Sequence, residues 1–460
     1  MKLTRREALA GAAAAALGGT GIYELVDRLG GSAPKRAAAS TLPPEQHVLD
    51  AIDVIQDNGV EVLVPPLHHQ LVTAKVRAGD LRAAQRELED ALHMMEQRYE
   101  PTPAGLGITV GWGLPYFRGR VPEAWARHAP RDRRARKLAL LDAVRFPSDP
   151  QETILEQNDV AVLLRSDSSD HLADAARALF DHLGVFDITS IRKGFVGGGF
   201  GGGRGLPKEI AVAAGVSGAD LIPDGAQLFL GFTSTQRAGM GPRRIANFET
   251  LGYVDLGPSG YFRNGTSMHV SHLLENLEAW YLNFDFRERV DTAFRPGLSV
   301  APDTQTVRQS PRDVSTDARV KRQFRATGRI GHSGAIQTTS RLQRDVVADD
   351  GTVYRKGTAV PLRADFNTLD NPFAWSAHPL RDGMQQSSPA AGIHFVVFNP
   401  TSDDFHRNRL AMDGVLPDGT RLPLPARARG QGFNSVLRTT HRQNFLVPPR
   451  RHRSFPLAEL

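Results

Sequence analysis

The stretch "NDVAVLLRSDSSDHLADAARALFDHLG", residues 158–184, leads from an apolar run through a Ser/Asp turn into an amphipathic segment. Its first part, residues 159–164, is rich in valine and leucine and predicts a buried strand. Its last part, about residues 173–183, carries apolar residues at helical spacing. The same order recurs in "AGIHFVVFNPTSDDFHRNRLAMDG", residues 391–414. The two stretches therefore predict one α+β unit that occurs twice.

The residues before 158 supply the beginning of such a unit. Residues 58–76 and 105–113 are rich in apolar residues and predict strands. Between them, residues 80–100 show helical spacing of apolar side chains, with Asp80 as the N-cap. Strand–helix–strand followed by strand–helix is the order of a ferredoxin-like sheet.

The second half repeats this order. Residues 225–232 predict a strand, and residues 265–284 predict a strand that leads into a helix. We therefore expect an α+β fold of duplicated ferredoxin-like units with antiparallel sheets, of the dimeric α+β barrel type. The predicted boundaries are a leader at 1–39, a linker at 40–56, an N-terminal half at 57–190, a glycine-rich seam at 191–224, a C-terminal half at 225–415 and an extension at 416–460.

The seam between the halves contains "SIRKGFVGGGFGGGRGLPKE", residues 190–209, with seven glycines between Gly194 and Gly203. A phosphate-binding loop needs glycines that open a helix directly after a strand, usually with a lysine at a fixed place. No GxxxxGK[ST] motif occurs here, so nucleotide binding is disfavoured. A flexible connector and the remains of another site stay open as alternatives.

Composition excludes several kinds of site. The 460-residue chain has no cysteine, which rules out disulfides, thiolate haem ligation, iron–sulfur clusters and a cysteine nucleophile. Its net charge of +6 is not concentrated in a basic block with aromatic residues, so nucleic-acid binding is not expected.

The N-terminus, residues 4–9, reads Thr-Arg-Arg-Glu-Ala-Leu and precedes a mildly apolar run too short to span a membrane. It resembles a twin-arginine export signal, with a small-residue cleavage site at residues 37–39. The alternative is a cytosolic protein with an alanine-rich N-terminal helix. Twin-arginine export moves folded proteins, which favours a cofactor loaded before export.

Several segments together resemble the dye-decolorising peroxidases. The resemblance covers most of residues 57–415. That family consists of two ferredoxin-like halves around a haem b, and many members leave by twin-arginine export. The segments, in chain order, are "GITVGWGLPYF" (107–117), residues 158–184, "PDGAQLFLGF" (223–232), "GTSMHVSHLLENLEAW" (265–280) and "AGIHFVVFNPTSDDF" (391–405).

The resemblance assigns the seam to the distal side of the haem, where the family carries Gly-Phe-x-Asp-Gly. Here Gly194 and Phe195 keep the first part, and Gly197 stands in place of the aspartate. It implies that Phe195 and Gly197 face the cofactor and that Arg204, just after the glycines, is a candidate hydrogen-bond donor. A surface position for Arg204 is the alternative.

The family's axial histidine precedes an arginine-rich segment. In this chain His332 is followed by "SRLQRD" and "YRKGTAVP", so the resemblance implies His332 as the iron ligand. A count back from Arg341 places Ala335 there instead, and a structural loop histidine is the alternative reading of His332. Arg355 resembles the family's arginine near the haem propionates, where a guanidinium pairs with carboxylate.

The family's distal arginine falls on Ser271 or His272, so it is absent from this chain. His269 shares a strand face with Ser271, because side chains alternate with period two, and His272 points to the other face. His269 is therefore a candidate acid–base group and Ser271 a candidate cofactor contact. A histidine packed between sheet and helix is the alternative.

These expectations combine into an exported haem b protein that oxidises a small organic substrate with hydrogen peroxide. Because both usual distal residues are missing, a haem- or porphyrin-binding protein with little peroxidase activity is the main alternative. The expected partners are the substrate, peroxide and the export machinery, without nucleic acid or a stable membrane span. A homo-oligomer is compatible with such sheets, although the sequence does not give the oligomeric state.

Overall fold

The computed structural model describes residues 42–57, 60–132, 135–198, 205–232, 260–298, 314–347, 351, 353–376, 389–428 and 430–460, together with 23, 26 and 29. The strands are β1 Val54–Asp57, β2 Val60–Leu63, β3 His68–Val76, β4 Gly107–Gly113, β5 Ile154–Leu155, β6 Val160–Ser166, β7 Phe186–Phe195, β8 Thr266–Glu275, β9 Val346–Val347, β10 Val353–Tyr354, β11 Leu362–Arg363, β12 Phe366–Thr368, β13 Gly392–Asn399 and β14 Leu437–Val447.

α1 follows the predicted apolar spacing and begins where Asp80 accepts hydrogen bonds from the backbone of Arg82 and Ala83. A π-helical turn, Arg177–Asp181, extends α4. The helices are α1 Leu81–Arg98, α2 Leu114–Gly119, α3 Pro122–His128, α4 Ser169–Ala176, α5 Leu206–Ala213, α6 Leu277–Asn283, α7 Phe286–Ala293, α8 Asp317–Thr327, α9 His332–Ser340, α10 Pro372–Trp375 and α11 Ser402–Met412.

Two four-stranded sheets have the same topology. In the N-terminal half the strands lie in the order β7-β3-β6-β4, with α1 after β3 and α4 after β6. In the C-terminal half the order is β14-β8-β13-β12, with α11 after β13. Both read 4-1-3-2 when each half is numbered from its own first strand, which is the ferredoxin-like order. The predicted duplicated α+β fold is confirmed.

The two sheets join edge to edge. β12 pairs with β7 through Asn367 and Phe195, and β14 pairs with β4 through Phe445 and Gly113. The result is a closed, barrel-like sheet whose two junctions are short, with one residue pair between β12 and β7 and two between β14 and β4. Alternation along each strand then gives every strand an inner and an outer face.

The inner faces of both sheets form one apolar cluster, which includes Leu71, Leu163, Val270, Val396 and Phe445. The outer faces pack against helices. In the N-terminal half, apolar side chains of β3, β4 and β6 meet α1 and α4. In the C-terminal half, the outer face meets α9 and α11, and the contact there is incomplete and leaves a cavity.

Three segments differ from the sequence-based expectation. Residues 225–232 do not form a strand, because side chains rather than a neighbouring strand satisfy the backbone: Trp280 Nε1 donates to Leu230 O at 2.9 Å and the Tyr281 hydroxyl to Phe229 O at 2.6 Å. β7 occupies residues that begin the predicted seam. β14 lies within the predicted extension, so the C-terminal half continues to Val447.

Most of the predicted leader lies outside the described residues. Tyr23 and Val26 are described, and both are buried in the core of the N-terminal half. The Tyr23 hydroxyl donates to the carbonyl oxygen of His69 on β3 at 2.6 Å. None of the helices in the described ranges has the length and apolar character needed to cross a membrane.

Candidate functional site

A cavity of about 190 Å³ lies between the outer face of the C-terminal sheet and helices α7, α9 and α11. Its walls are mainly apolar, which is typical of small-molecule sites. The sheet contributes alternate residues of β8 and β13, and the helices close the other side. The lining includes Leu228, Leu230, Phe232, Ser271, Leu273, Glu275, Phe294, His332, Ile336, Ser340, Arg363, Ile393, Phe395, Val397, Phe405, Asn408, Arg409, Met412, Phe433 and Arg442.

His332 lines this cavity from the first position of α9. Gly331 precedes His332 and packs against the backbone of Phe294: a Cβ on Gly331 would lie 2.4 Å from the Phe294 carbonyl oxygen. This close contact fixes the start of α9 against the end of α7. The His332 ring packs on Phe433, with 4.7 Å between ring centroids, and its Nδ1 is buried without a hydrogen-bond partner among the described residues.

The electrostatic environment keeps His332 neutral. Burial, followed by the positive charges of Arg363 and Arg409, lowers its pKa to about 3. A neutral imidazole with a free nitrogen is the form that ligates a metal. A buried nitrogen without a partner costs free energy, so its retention points to a group that is bound there.

Glu275 reaches the same cavity from the last position of β8. Its Oε2 is buried and has no hydrogen-bond partner in the described part of the chain. Burial, followed by the negative charge of Asp365, raises its pKa to about 8. At neutral pH the side chain is therefore mainly a carboxylic acid, which can donate a hydrogen bond.

Three arginines line the cavity, and each already has a carboxylate. Arg363 makes a bidentate pair with Asp365, at 2.8 and 2.6 Å. Arg442 contacts Asp149 at 2.9 Å, and Arg409 contacts the same carboxylate at 3.2 Å. These charges are therefore compensated within the protein.

His269 does not line the cavity itself but contacts Ser271, which does. Its Nδ1 is 2.7 Å from Asn444 Oδ1, its Nε2 is 2.5 Å from Ser271 Oγ, and its ring stacks on Phe405. Burial, then Arg442, lowers its pKa well below the usual value. Ser271 lines the cavity, so His269 reaches it only through that hydroxyl.

His272 points to the inside of the barrel. Its ring lies 4.8 Å from that of His394 and 5.0 Å from that of Trp375, measured between centroids. The predicted opposition of His269 and His272 on β8 matches this arrangement. No group of three or more histidine, aspartate or glutamate side chains in the described ranges is arranged to hold a metal ion by itself.

The residues at the seam pack into the protein. Phe195 is fully buried, and its ring meets Phe229 edge-on at 6.1 Å. At Gly197 a Cβ would lie 2.4 Å from Pro207 Cδ and 2.8 Å from the Gln227 carbonyl oxygen. Neither residue belongs to the cavity lining. The space at Gly197 is therefore closed to a side chain.

Two further predicted residues are not brought to the cavity. Arg355, next to β10, is 78% exposed and pairs with Asp345 at 2.7 Å. It does not line the cavity, so it does not have the predicted position beside a bound cofactor. Arg204 lies outside the described residues. His332 and Ser271 are thus the predicted site residues that the structure places together at the cavity.

Glu275, Arg363, Arg409 and Arg442 also line the cavity, although the sequence did not single them out. Glu275 had a usable signal, because residues 269, 271, 273 and 275 share one face of β8 by alternation. The arginines had none, since their positions depend on how β11, α11 and β14 pack in three dimensions.

The geometry can be compared with known proteins. A family model described as a family of unknown function (DUF7405) matches residues 66–449. The chain belongs to this family. No curated protein matches it in sequence.

Solved structures of DyP-type peroxidases share the architecture. A putative DyP-type peroxidase from Shewanella oneidensis has 13% identity and a TM-score of 0.50, over 84% of this chain and 94% of that one. The DyP-type peroxidase from Cellulomonas bogoriensis has 19% identity and a TM-score of 0.49, over 89% and 96%. A Rhodococcus jostii DypB variant in complex with haem has 14% and 0.49, over 85% and 96%. At these identities the likeness shows the fold alone.

The donor set at the cavity contains the residue types of a haem site. One neutral histidine has an unpartnered nitrogen, the walls are mainly apolar, and arginines line the cavity, each paired with a carboxylate. The volume of about 190 Å³ is below the roughly 300–1,000 Å³ of typical ligand pockets. A haem needs more space than the cavity has in this structure.

Proposed function

We propose that the chain is a haem b protein of the dye-decolorising peroxidase type, which oxidises a small organic substrate with hydrogen peroxide. The observation that carries this proposal is the buried, unpartnered Nδ1 of His332 in an apolar cavity of this fold. A bound haem would supply the iron and the electrons that reduce peroxide. The chain's part is to hold that group, exclude water and move protons.

Each wall of the cavity has a distinct role in this proposal. His332 would hold the iron, with its ring packed on Phe433. Phe395 and Val397 would exclude water from the sheet side, and Phe405 from the side of α11. Arg363 and Arg409, already balanced by Asp365 and Asp149, would offer hydrogen bonds to the carboxylates of the group.

The proposal is tested by the visible spectrum of protein expressed with a haem supply, compared with His332→Ala. We expect a Soret band in the wild type and its loss or shift in the variant, because the ligand is removed. His93→Ala is the matched control, since His93 is 59% exposed on α1. An unchanged band in His332→Ala contradicts His332 as the ligand, and a wild type without a band contradicts haem binding.

A second candidate is a haem- or porphyrin-binding protein with little turnover. The closed position at Gly197 favours it, because the aspartate that the family uses there has no space. The two engaged nitrogens of His269 point the same way. A strong Soret band without peroxide consumption in the presence of an oxidisable dye would select this candidate.

We also propose export by the twin-arginine route, from the sequence at Arg5 and Arg6. Replacing both arginines by lysine should retain the protein in the cytoplasm of its producing cell, as measured by fractionation. Equal export of the variant and the wild type would overturn this assignment.

A further inference from the structure

The predicted leader contains two side chains that belong to the core of the folded protein. Tyr23 is 4% exposed and Val26 is fully buried, and both pack in the apolar cluster that α1 and α4 form with the N-terminal sheet. Tyr23, Val26 and Leu29 are each helical, and Leu29 is 39% exposed. The two buried side chains are therefore part of the packed structure and not of a solvated tail.

Tyr23 is held on the N-terminal sheet by a hydrogen bond and by ring contacts. Its hydroxyl donates to the backbone carbonyl oxygen of His69 at 2.6 Å, and its ring meets that of His68 edge-on, with 5.1 Å between centroids. The ammonium group of Lys193 lies 5.8 Å from the centroid of the Tyr23 ring. Tyr23 thus contacts the first residues of β3 and the last part of β7 at once.

These strand ends form one of the two junctions between the sheets. His68 pairs with Phe195, which in the described part of the chain is also the residue of β7 that pairs with β12, through Asn367. A junction of one residue pair has few hydrogen bonds of its own. Tyr23 adds a buried ring and a further hydrogen bond beside it.

Tyr23 also borders a groove of about 670 Å³ between α4 and the outer faces of β3 and β7. Ile188 and Ile191 of β7 line this groove and are 42% and 39% exposed. Loss of Tyr23 would extend the apolar surface of the groove toward His68 and Lys193. Because exposed apolar surface favours association with other chains, loss of this residue would lower solubility as well as stability.

We infer that the segment that carries Tyr23 and Val26 is a permanent part of the protein, which clamps β3 to β7 beside the sheet junction. Cleavage at the small residues 37–39 would remove both buried side chains. A signal peptidase that processes this chain must therefore cut before Tyr23. The inference requires neither a bound haem nor export, since it rests on the packing of described residues.

The first test compares the urea midpoint of the full-length chain with those of three variants. V26D places a carboxyl group in the core and should lower the midpoint strongly, because burying a charge costs free energy. Y23F removes only the hydroxyl that bonds the His69 carbonyl oxygen and should lower it by a smaller amount. L29D is the matched control, because the same substitution at a 39% exposed side chain should leave the midpoint unchanged.

The second test is the intact mass of the chain recovered outside the cytoplasm of a producing cell that has twin-arginine export and a signal peptidase. We expect a chain whose first residue lies at or before Tyr23. A mature chain that begins at residues 38–40 overturns the inference, and so do equal urea midpoints for V26D, Y23F and L29D.

These outcomes are separate from those of the other proposals. If no chain leaves the cytoplasm, the export proposal fails and the urea midpoints alone decide whether the segment is a clamp. A missing Soret band contradicts haem binding and leaves the clamp in place. A retained Tyr23 in the exported chain, with a lowered midpoint for V26D and an unchanged one for L29D, supports the inference.

Discussion

The carboxyl group of Glu275 enters the cavity from a strand end, whereas Gly197 is enclosed by Pro207 and the backbone of Gln227. At Gly197 even a Cβ would be too close to its neighbours, whereas the position of Glu275 accommodates a whole side chain. The place of an acid in a fold therefore depends on available volume as much as on sequence position. At the residue scale, the two positions differ in the space they leave for a side chain.

The closed space at Gly197 predicts the result of placing an aspartate there. Gly197→Asp should not raise peroxide turnover, and it should lower the free energy of unfolding by about 1–3 kcal/mol through overpacking. Urea unfolding and a peroxide assay measure the two effects. Gly79→Asp is the control, because nothing lies within 4 Å of a Cβ there. A more active and equally stable Gly197→Asp would show that the loop adapts.

At the element scale, β8 distributes its histidines to two environments. His269 faces the helix side beside the cavity, and His272 faces the barrel interior. The sequence predicts this opposition because alternation is a local property of any strand. It also predicts α1, β6, β13 and α11, whose apolar spacing and caps lie within each segment.

Other elements depend on distant partners. Residues 225–232 have the composition of a strand, yet the side chains of Trp280 and Tyr281 take up carbonyl groups that a strand would offer to a neighbour. The sequence does not distinguish β14 from a C-terminal extension, because its partners β8 and β4 are far away in the chain. The alternation on β8 could have pointed to Glu275, whereas the cavity arginines follow only from packing.

Asp149, in the loop before β5, bridges β14 and α11. It has no exposed side-chain surface and contacts both Arg409 and Arg442. Asp149→Asn would leave the buried guanidinium of Arg442 without its counter-charge, whereas Arg409 would keep Asp413 at 2.9 Å. We expect the free energy of unfolding to fall by about 3–5 kcal/mol in denaturant titrations.

Asp142→Asn provides the comparison for Asp149→Asn. Asp142 pairs with Arg118 at 2.9 Å, but both side chains are about half exposed. Its loss should change stability by about 1 kcal/mol or less. Similar effects of the two substitutions would mean that the Asp149 cluster contributes no more than a surface ion pair.

At the scale of the whole molecule, the barrel and its helices bury many imidazoles in the neutral state. Burial is the largest cause of the lowered pKa in each case. The histidines with this shift include His47, His69, His269, His272, His332 and His394.

These histidines predict acid sensitivity. The unfolded chain takes up protons below about pH 6.5 that the folded chain does not bind, so stability is lost as pH falls. Each fully shifted histidine contributes up to about 1.4 kcal/mol per pH unit. Urea midpoints measured from pH 7.5 to pH 5 should therefore decline steeply. A flat profile over this range would show that the folded state accepts these protons.

β14 joins the two sheets, because it pairs with β8 on one side and with β4 on the other. During synthesis, β4 and β8 are made before the strand that joins them. The nascent chain thus carries two open sheet edges until β14 has left the ribosome. A chain that stops before Leu437 keeps both edges available to other chains, so the solubility of this fold during synthesis depends on β14.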